Sequence, residues 1–137
     1  MNQYFSYLAY RTGWLIVGVL PHSWAYGIFN LVALRVAKKN GKGVQRLRRN
    51  LAIVTGTSDA DVEQVTIEAM KSYMRYWCDT FRIHRWSTNR IASTVTTTND
   101  HLLRDPMHQG KGVVIALPHS GNWDHAGAYF CQEGFPL

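Results

Sequence analysis

Acidic residues are missing from the first 50 positions of this 137-residue sequence. That segment holds eight basic residues, whereas the rest of the chain has seven basic and nine acidic ones, for a net charge of +6. The positive charge therefore predicts an anionic partner for the N-terminal segment, with lipid headgroups and nucleic acid as the candidates. Because no aromatic stacking platforms are interleaved with the cations and no nucleic-acid-binding module is recognisable, we predict a membrane with anionic lipids and no nucleic acid.

Cysteines and long apolar runs are also scarce. The two cysteines, Cys78 and Cys131, lie far apart without metal-ligand spacing, which predicts reduced, buried or half-buried thiols rather than a disulfide framework. The longest apolar stretch, residues 14–20, ends at Pro21, whereas a membrane-spanning helix needs about 20 residues. No secretory signal is predicted, because the first ten residues lack Lys and Arg and no A-x-A site follows an apolar core.

What is present suffices for one domain, predicted over residues 1–137, since 46% of the residues are hydrophobic. Residues 1–50 comprise two predicted apolar helices, 3–20 and 22–38, and then a basic segment, KKNGKGVQRLRRNL, predicted as a loop leading into a helical turn. The second helix is apolar nearly all round, so it is either buried or laid against lipid. Both interpretations stay open: a packing pair inside the globule, or a monotopic anchor on an anionic membrane.

Residues 51–137 are predicted to begin the catalytic core. Residues 57–61 combine a Ser or Thr cap with acids, which predicts a helix start. The helix that follows, to about Ile83, has an apolar face at helical spacing, formed by Val62, Val65, Ala69, Met70, Tyr73, Met74, Trp77 and Phe81. Three basic residues outside that face are expected to be solvated: Lys71, Arg75 and Arg82.

The remaining segments predict an α/β fold. Residues 93–98 are β-branched and predict a short strand, and residues 101–109 predict a brief helix. Residues 113–117, VVIAL, predict a strand buried on both faces, which favours the start of a mixed sheet covered by helices. Two strands are too few for an independent sheet, so the domain is expected to be incomplete in this sequence.

The segment HSGNWD directly after this run places His119 five residues before Asp124. At the carboxyl end of a strand, where open α/β sheets bind ligands, His119 would face a helix that begins near Asn122 or Trp123. Gly121 suits the sharp turn and Asn122 suits a helix cap. An Asp124 carboxylate bound to one imidazole nitrogen would make the other nitrogen a better base, able to take a proton from an attacking hydroxyl.

Three other interpretations compete. The His–Asp pair is often only a structural hydrogen bond. A metal site could use His119, Asp124 and His125, but Gly121 stands where the array of metallo-β-lactamase-like hydrolases needs a second histidine. Ser120 lacks the G-x-S-x-G context of a nucleophile.

The segment LPHSGNWD, preceded by GKGVVIA, resembles the His-x4-Asp motif of the bacterial lysophospholipid and lipid A type acyltransferase superfamily. Within that superfamily, the segment resembles the phosphatidylinositol mannoside acyltransferases. RLRRNL at residues 46–51 and SYMRYWCDTFRI at residues 72–83 resemble the N-terminal half of that family, in the same order.

The resemblance implies a glycerolipid-acyltransferase-like enzyme, peripheral or monotopic, at the cytoplasmic face of the plasma membrane. It would transfer a long acyl chain from acyl-CoA, as co-substrate, to a mannose hydroxyl of a glycolipid acceptor, without a metal or prosthetic group. His119 would be the general base and Asp124 its charge partner. The substrate-binding loop would consist of Ser120, Gly121, Asn122 and Trp123. Two alternatives stay open: acylation of a lipid A precursor from an acyl carrier protein, and a non-catalytic membrane-associated protein.

Overall fold

A computed structural model describes residues 3–56, 58–118 and 120–135 of the chain. Within these residues the secondary structure is helical, and seven α-helices and one 3-10 turn follow one another along the chain. They are α1 (Gln3–Val19), α2 (His22–Lys39), α3 (Lys42–Thr55), α4 (Asp59–Arg82), the 3-10 turn (Ile83–Arg85), α5 (Thr88–Ser93), α6 (His101–His108) and α7 (Trp123–Gln132). The chain forms two compact units, which meet in sequence between Arg82 and Ile83.

In the first unit, α2 packs along α4. The inner face of α2 is lined by small residues, Ala25, Ala33 and Ala37, all of them buried. Small side chains let two helices approach closely, and Met70 of α4 lies in one cluster with Ala33 and Ala37. The buried residues of α4 follow one another mostly at four-residue spacing, as expected for one helix face: Val62, Thr66, Met70, Cys78 and Arg82.

The predicted helices over residues 3–20, 22–38 and 59–83 are confirmed to within a few residues. Ser58 marks the start of α4, because its hydroxyl oxygen accepts the Asp61 amide proton at 3.4 Å while its O–H donates to the Asp61 carboxylate at 2.7 Å. Thr57, the other predicted cap residue, lies outside the described residues. Thr66 was not predicted in the core, and it is buried with its hydroxyl donating to the Val62 carbonyl at 2.6 Å.

The prediction of a basic loop after α2 was wrong. The chain turns through only Asn40 and Gly41, with Asn40 in the left-handed conformation at φ 46°, and α3 begins at Lys42. Val44 of α3 is buried in a cluster with Ala33, Ala37 and Met70. This packing stabilises a helix whose cationic residues alone do not indicate it.

The end of α1 is held by α4. Trp14 packs edge-to-face on Phe81, with ring centroids 5.0 Å apart. Nη1 of the buried Arg82 donates to the carbonyls of Val17 at 2.6 Å and Leu20 at 2.7 Å. The expectation that Arg82 is solvated was therefore wrong: its charge satisfies carbonyls that the end of α1 leaves without helical partners.

The predicted α/β fold with a mixed sheet is contradicted, because no strand occurs in the described part of the chain. The segment 93–98 begins inside α5, and Thr94 ends that helix by donating its hydroxyl to the Arg90 carbonyl at 2.8 Å. Residues 113–117 are exposed, Val114 to 99% of its side chain. A β-branched sequence favours an extended backbone, but a strand needs a neighbour for its N–H and C=O groups. Among the described residues, no other strand lies beside residues 113–117 to supply these hydrogen-bond partners.

The prediction of reduced thiols without a disulfide is confirmed for both cysteines, whereas the predicted burial is confirmed for Cys78 and wrong for Cys131. Both cysteines are free, Cys78 buried and Cys131 exposed. Burial raises the pKa of Cys78 to about 11, with the nearby Asp79 charge adding to the rise and Arg82 opposing it. Among the helices of the described residues, none is both long and apolar enough to cross a membrane.

Candidate active site

The HSGNWD segment turns sharply into α7. The Ser120 amide donates to the Pro118 carbonyl at 2.8 Å, and Gly121 adopts a left-handed φ of 68° that suits glycine. Asn122 caps α7, because its side-chain oxygen accepts the His125 amide proton at 3.0 Å. The predictions of a turn at Gly121, a cap at Asn122 and a helix start at Trp123 are confirmed.

Asp124 is half-buried in the first turn of α7. The positive end of the helix dipole stabilises a carboxylate at this position, which suits the role predicted for it. Trp123 is 46% exposed and Ser120 is exposed beside it. His119 lies outside the described residues, so its pairing with Asp124 stays a prediction.

A contact that the sequence did not reveal joins α7 to α5. Nε2 of His125 lies 3.0 Å from the Thr94 hydroxyl oxygen. The His125 ring also meets Trp86 edge-on, with centroids 5.1 Å apart, and the Arg90 guanidinium lies 4.1 Å above the Trp86 ring. No sequence signal pointed to this cluster, since Thr94 was assigned to a strand and Trp86 and Arg90 to no site.

The other end of α7 contacts α6. Arg104 donates to the Asp100 carboxylate at 2.7 Å and to Glu133, just after α7, at 3.0 Å, and its guanidinium lies 5.4 Å from the centroid of the buried Phe135 ring. The hydrogen bond from Arg104 lowers the pKa of Asp100, and the same bond raises the pKa of Arg104. The helix that carries Asp124 is thus held at both ends within the second unit.

The Asp124 carboxylate therefore lies at the N-terminus of α7, shortly after the tight turn at Gly121. Trp123 and Ser120, close to it in sequence, are exposed. A carboxylate there can orient a neighbouring imidazole and stabilise its protonated form. In the part of the chain that the structure describes, no group of three or more His, Cys, Asp or Glu side chains is arranged to hold a metal ion.

Residues 1–136 match the model of the family described as bacterial lipid A biosynthesis acyltransferase. The chain belongs to this acyltransferase family. It is 41% identical over 131 residues to a phosphatidylinositol mannoside acyltransferase of Mycolicibacterium smegmatis, covering 95% of this chain and 42% of the relative. A Mycobacterium tuberculosis protein of the same name is 37% identical over 129 residues, covering 91% of this chain and 40% of the relative.

These matches confirm the resemblance inferred from the three sequence segments. The chain spans about two fifths of the length of these curated relatives, at 42% and 40%. No solved structure is significantly similar to it.

Proposed function

We propose that this member of the acyltransferase family transfers a long acyl chain from acyl-CoA to a mannose hydroxyl of a phosphatidylinositol mannoside. The observation that carries the proposal is the 41% identity to the M. smegmatis relative over 95% of this chain. The turn at Gly121, the cap at Asn122 and the position of Asp124 in the first turn of α7 support the same chemistry, because they give residues 121–124 a defined local geometry.

In the proposed reaction, His119 takes the proton from a sugar hydroxyl as that oxygen attacks the thioester carbonyl. Asp124 orients the imidazole and stabilises the imidazolium that forms. The new ester C–O bond replaces the C–S bond, and the CoA thiolate leaves and receives the proton from the imidazolium. Every step uses side chains of this chain and the two substrates.

We also propose that the first unit binds the membrane that holds the acceptor, at the cytoplasmic face of the plasma membrane. None of the α1 residues is fully buried. On α2, Trp24, Ile28 and Leu31 share one exposed face at helical spacing, opposite the buried alanines. The large apolar side chains exposed on α1 are Tyr4, Phe5, Tyr7, Leu8, Tyr10, Trp14, Leu15, Ile16 and Val19. Apolar surface of this kind, with Trp and Tyr, suits the headgroup region of a bilayer.

The cations of α3 supply the electrostatic part of this proposal. Lys42, Arg46 and Arg49 lie at positions i, i+4 and i+7 of α3 and are exposed, and we call them the cationic stripe. Within the described residues no carboxylate pairs with them. Like charges at this spacing repel, and Lys42 lies at the helix end where the dipole disfavours cations. An anionic lipid surface would offset both the repulsion among these cations and the unfavourable interaction of Lys42 with the helix dipole.

A second candidate function is acylation of a lipid A precursor from an acyl carrier protein, which the description of the matched family favours. The two functions differ in the thioester donor and in the acceptor. Competing palmitoyl-CoA against palmitoyl-carrier protein on each acceptor separates them.

The test measures palmitoyl transfer from palmitoyl-CoA to a phosphatidylinositol mannoside in lipid micelles. The chain is assayed alone and as a chimera in which residues 1–136 replace the matching part of the M. smegmatis relative. His119→Ala and Asp124→Asn are the test variants, and His101→Ala, at an exposed position on α6, is the matched control.

We expect the chimera to transfer palmitate, His101→Ala to keep that activity, and the two test variants to lose it, by about a hundredfold or more for His119→Ala. A folded chimera that stays inactive while the relative is active contradicts the proposal. So does activity that survives His119→Ala.

A further inference from the structure

We propose that Thr94 and His125 form a tether that positions Asp124 for the acyl transfer, an inference that rests on the proposed function. Neither residue touches the reacting atoms in this scheme, so both are positioning residues. The tether is the hydrogen bond between Thr94 Oγ1 on the C-cap of α5 and His125 Nε2 in the first turn of α7.

The direction of this hydrogen bond follows from the other partners of Thr94. Its hydroxyl proton is used within α5, since Oγ1 donates to the Arg90 carbonyl at 2.8 Å, with the Ile91 carbonyl at 3.1 Å. The Thr94 oxygen is therefore left as the acceptor, and His125 must donate from Nε2. Nε2 of His125 therefore carries the proton of this hydrogen bond.

The surrounding side chains limit the movement of the His125 ring. Trp86 lies edge-on to it at 5.1 Å, and Arg90 covers the Trp86 ring at 4.1 Å. The backbone of His125 is fixed as well, because its amide donates to the Asn122 cap at 3.0 Å. Both the ring and the backbone of His125 are thus held.

This matters for Asp124 because it lies between the cap residue Asn122 and His125 in the first turn of α7. Earlier in the chain, the described residues 111–118 are all exposed. The far end of α7 is held by the Arg104–Glu133 ion pair at 3.0 Å. Without the tether, the first turn would keep its cap but lose the hydrogen bond that joins it to Thr94 at the end of α5.

The test uses pairs of variants that differ only in the tether. Thr94→Val removes the hydroxyl at nearly constant shape, whereas Thr94→Ser keeps it. His125→Leu removes the donor, whereas His125→Gln places an N–H donor near the position of Nε2. Because Thr94→Val also removes bonds within α5, His125→Leu serves as the second, independent variant, and Thr96→Val, at an exposed position, is the control.

Two readouts are measured in the chimera: hydrogen exchange of the amides in residues 120–126, and the separate values of kcat and KM. We expect Thr94→Val and His125→Leu each to speed exchange in this segment and to lower kcat about ten- to hundredfold at nearly constant KM. The double variant should be no worse than either single one, and Thr94→Ser and His125→Gln should restore most of both readouts.

Unchanged exchange in both Thr94→Val and His125→Leu overturns the tether, whatever the activity. Faster exchange with an unchanged kcat overturns its positioning role. Activity that persists in His119→Ala instead overturns the proposed function, and the exchange data still decide whether the tether holds the first turn of α7.

Discussion

The guanidinium of Arg82, at the end of α4, donates to the two carbonyls of Val17 and Leu20 where α1 ends, at 2.6 and 2.7 Å. A single buried charge thus replaces the hydrogen bonds that a terminating helix lacks. Its Nε is buried without a hydrogen-bond partner among the described residues, so part of the desolvation cost of this charge is not recovered.

We expect Arg82→Met to lower the free energy of unfolding of the chain by about 2 kcal/mol, because the variant leaves two part-buried carbonyls without their donor. Arg75→Met, on the same helix at a half-buried position, is the control and should cost about 0.5 kcal/mol or less. Urea denaturation followed by circular dichroism measures both. If the two variants lower the free energy of unfolding equally, the hydrogen bonds of Arg82 do not stabilise the fold.

The two thiols should differ in reactivity. With a pKa of about 11, buried Cys78 holds a thiolate fraction of roughly one thousandth at about pH 8. We expect iodoacetamide to alkylate exposed Cys131 in the folded chain and Cys78 only after denaturation, as measured by mass spectrometry of the peptides. Alkylation of both at similar rates would contradict the burial of Cys78.

At the scale of elements, α3 combines a packed face with a charged one. Val44 and Leu47 contact the core of the first unit, while the cationic stripe faces outward. The last turn of α3 adds Ile53 and Val54, exposed to 81% and 82%. A helix with this distribution of charge and apolar surface is suited to lie on an anionic membrane.

We expect neutralising the cationic stripe, with Lys42→Gln, Arg46→Gln and Arg49→Gln together, to weaken binding to phosphatidylinositol-containing vesicles by about a hundredfold. Each cation near an anionic surface contributes about 1 kcal/mol. The control triple, Arg75→Gln, Arg85→Gln and Lys111→Gln, makes the same change in net charge elsewhere. Sedimentation with vesicles measures both, and an equal loss in the two triples would leave only a net-charge effect.

At the scale of the molecule, each of the two units has its own stabilising contacts. The first relies on the packing of α2, α3 and α1 around α4, whereas the second relies on α7 held between α5 and α6. The second unit has few buried apolar residues, Ile91 and Phe135 among them. Its polar contacts therefore have a larger part in its stability, and they make that stability depend on pH.

The pKa of Asp100 is lowered by the hydrogen bond from Arg104, so the folded state favours the charged carboxylate. Its contribution is present above the pKa of the unfolded chain and is lost as the pH falls through the lowered, folded-state pKa. We expect acid to lower the hydrogen-exchange protection factors in α6 and α7, that is, the protection after correction for the pH dependence of intrinsic amide exchange. This loss of protection should be smaller in Arg104→Met, which is already destabilised. The control variant is Lys71→Met, which removes the partner of Glu68 in a surface ion pair of the first unit. If the parent and Arg104→Met lose protection in acid to the same extent, the prediction is contradicted.

Local signals predicted a good part of this molecule. The apolar periodicity of α4, the cap at Asn122 and the turn at Gly121 each depend on residues within one or two turns of one another. The prediction of a loop over the basic segment was wrong because α3 is stabilised by contacts of Val44 with residues outside the segment's own pattern, Ala33 and Ala37 on α2 and Met70 on α4.

By itself the sequence determined the family, the helices α1, α2 and α4, and the capped start of α7, because motifs and caps are encoded in adjacent residues. Only the tertiary structure decided that Arg82 is buried, that residues 113–117 pair with no strand among the described residues, and that His125 contacts Thr94. These outcomes depend on contacts between residues about 30 or more positions apart, as for the 31 between Thr94 and His125. Secondary-structure propensity is local, whereas burial, pairing and side-chain contacts are set by whichever partner the folded chain brings near.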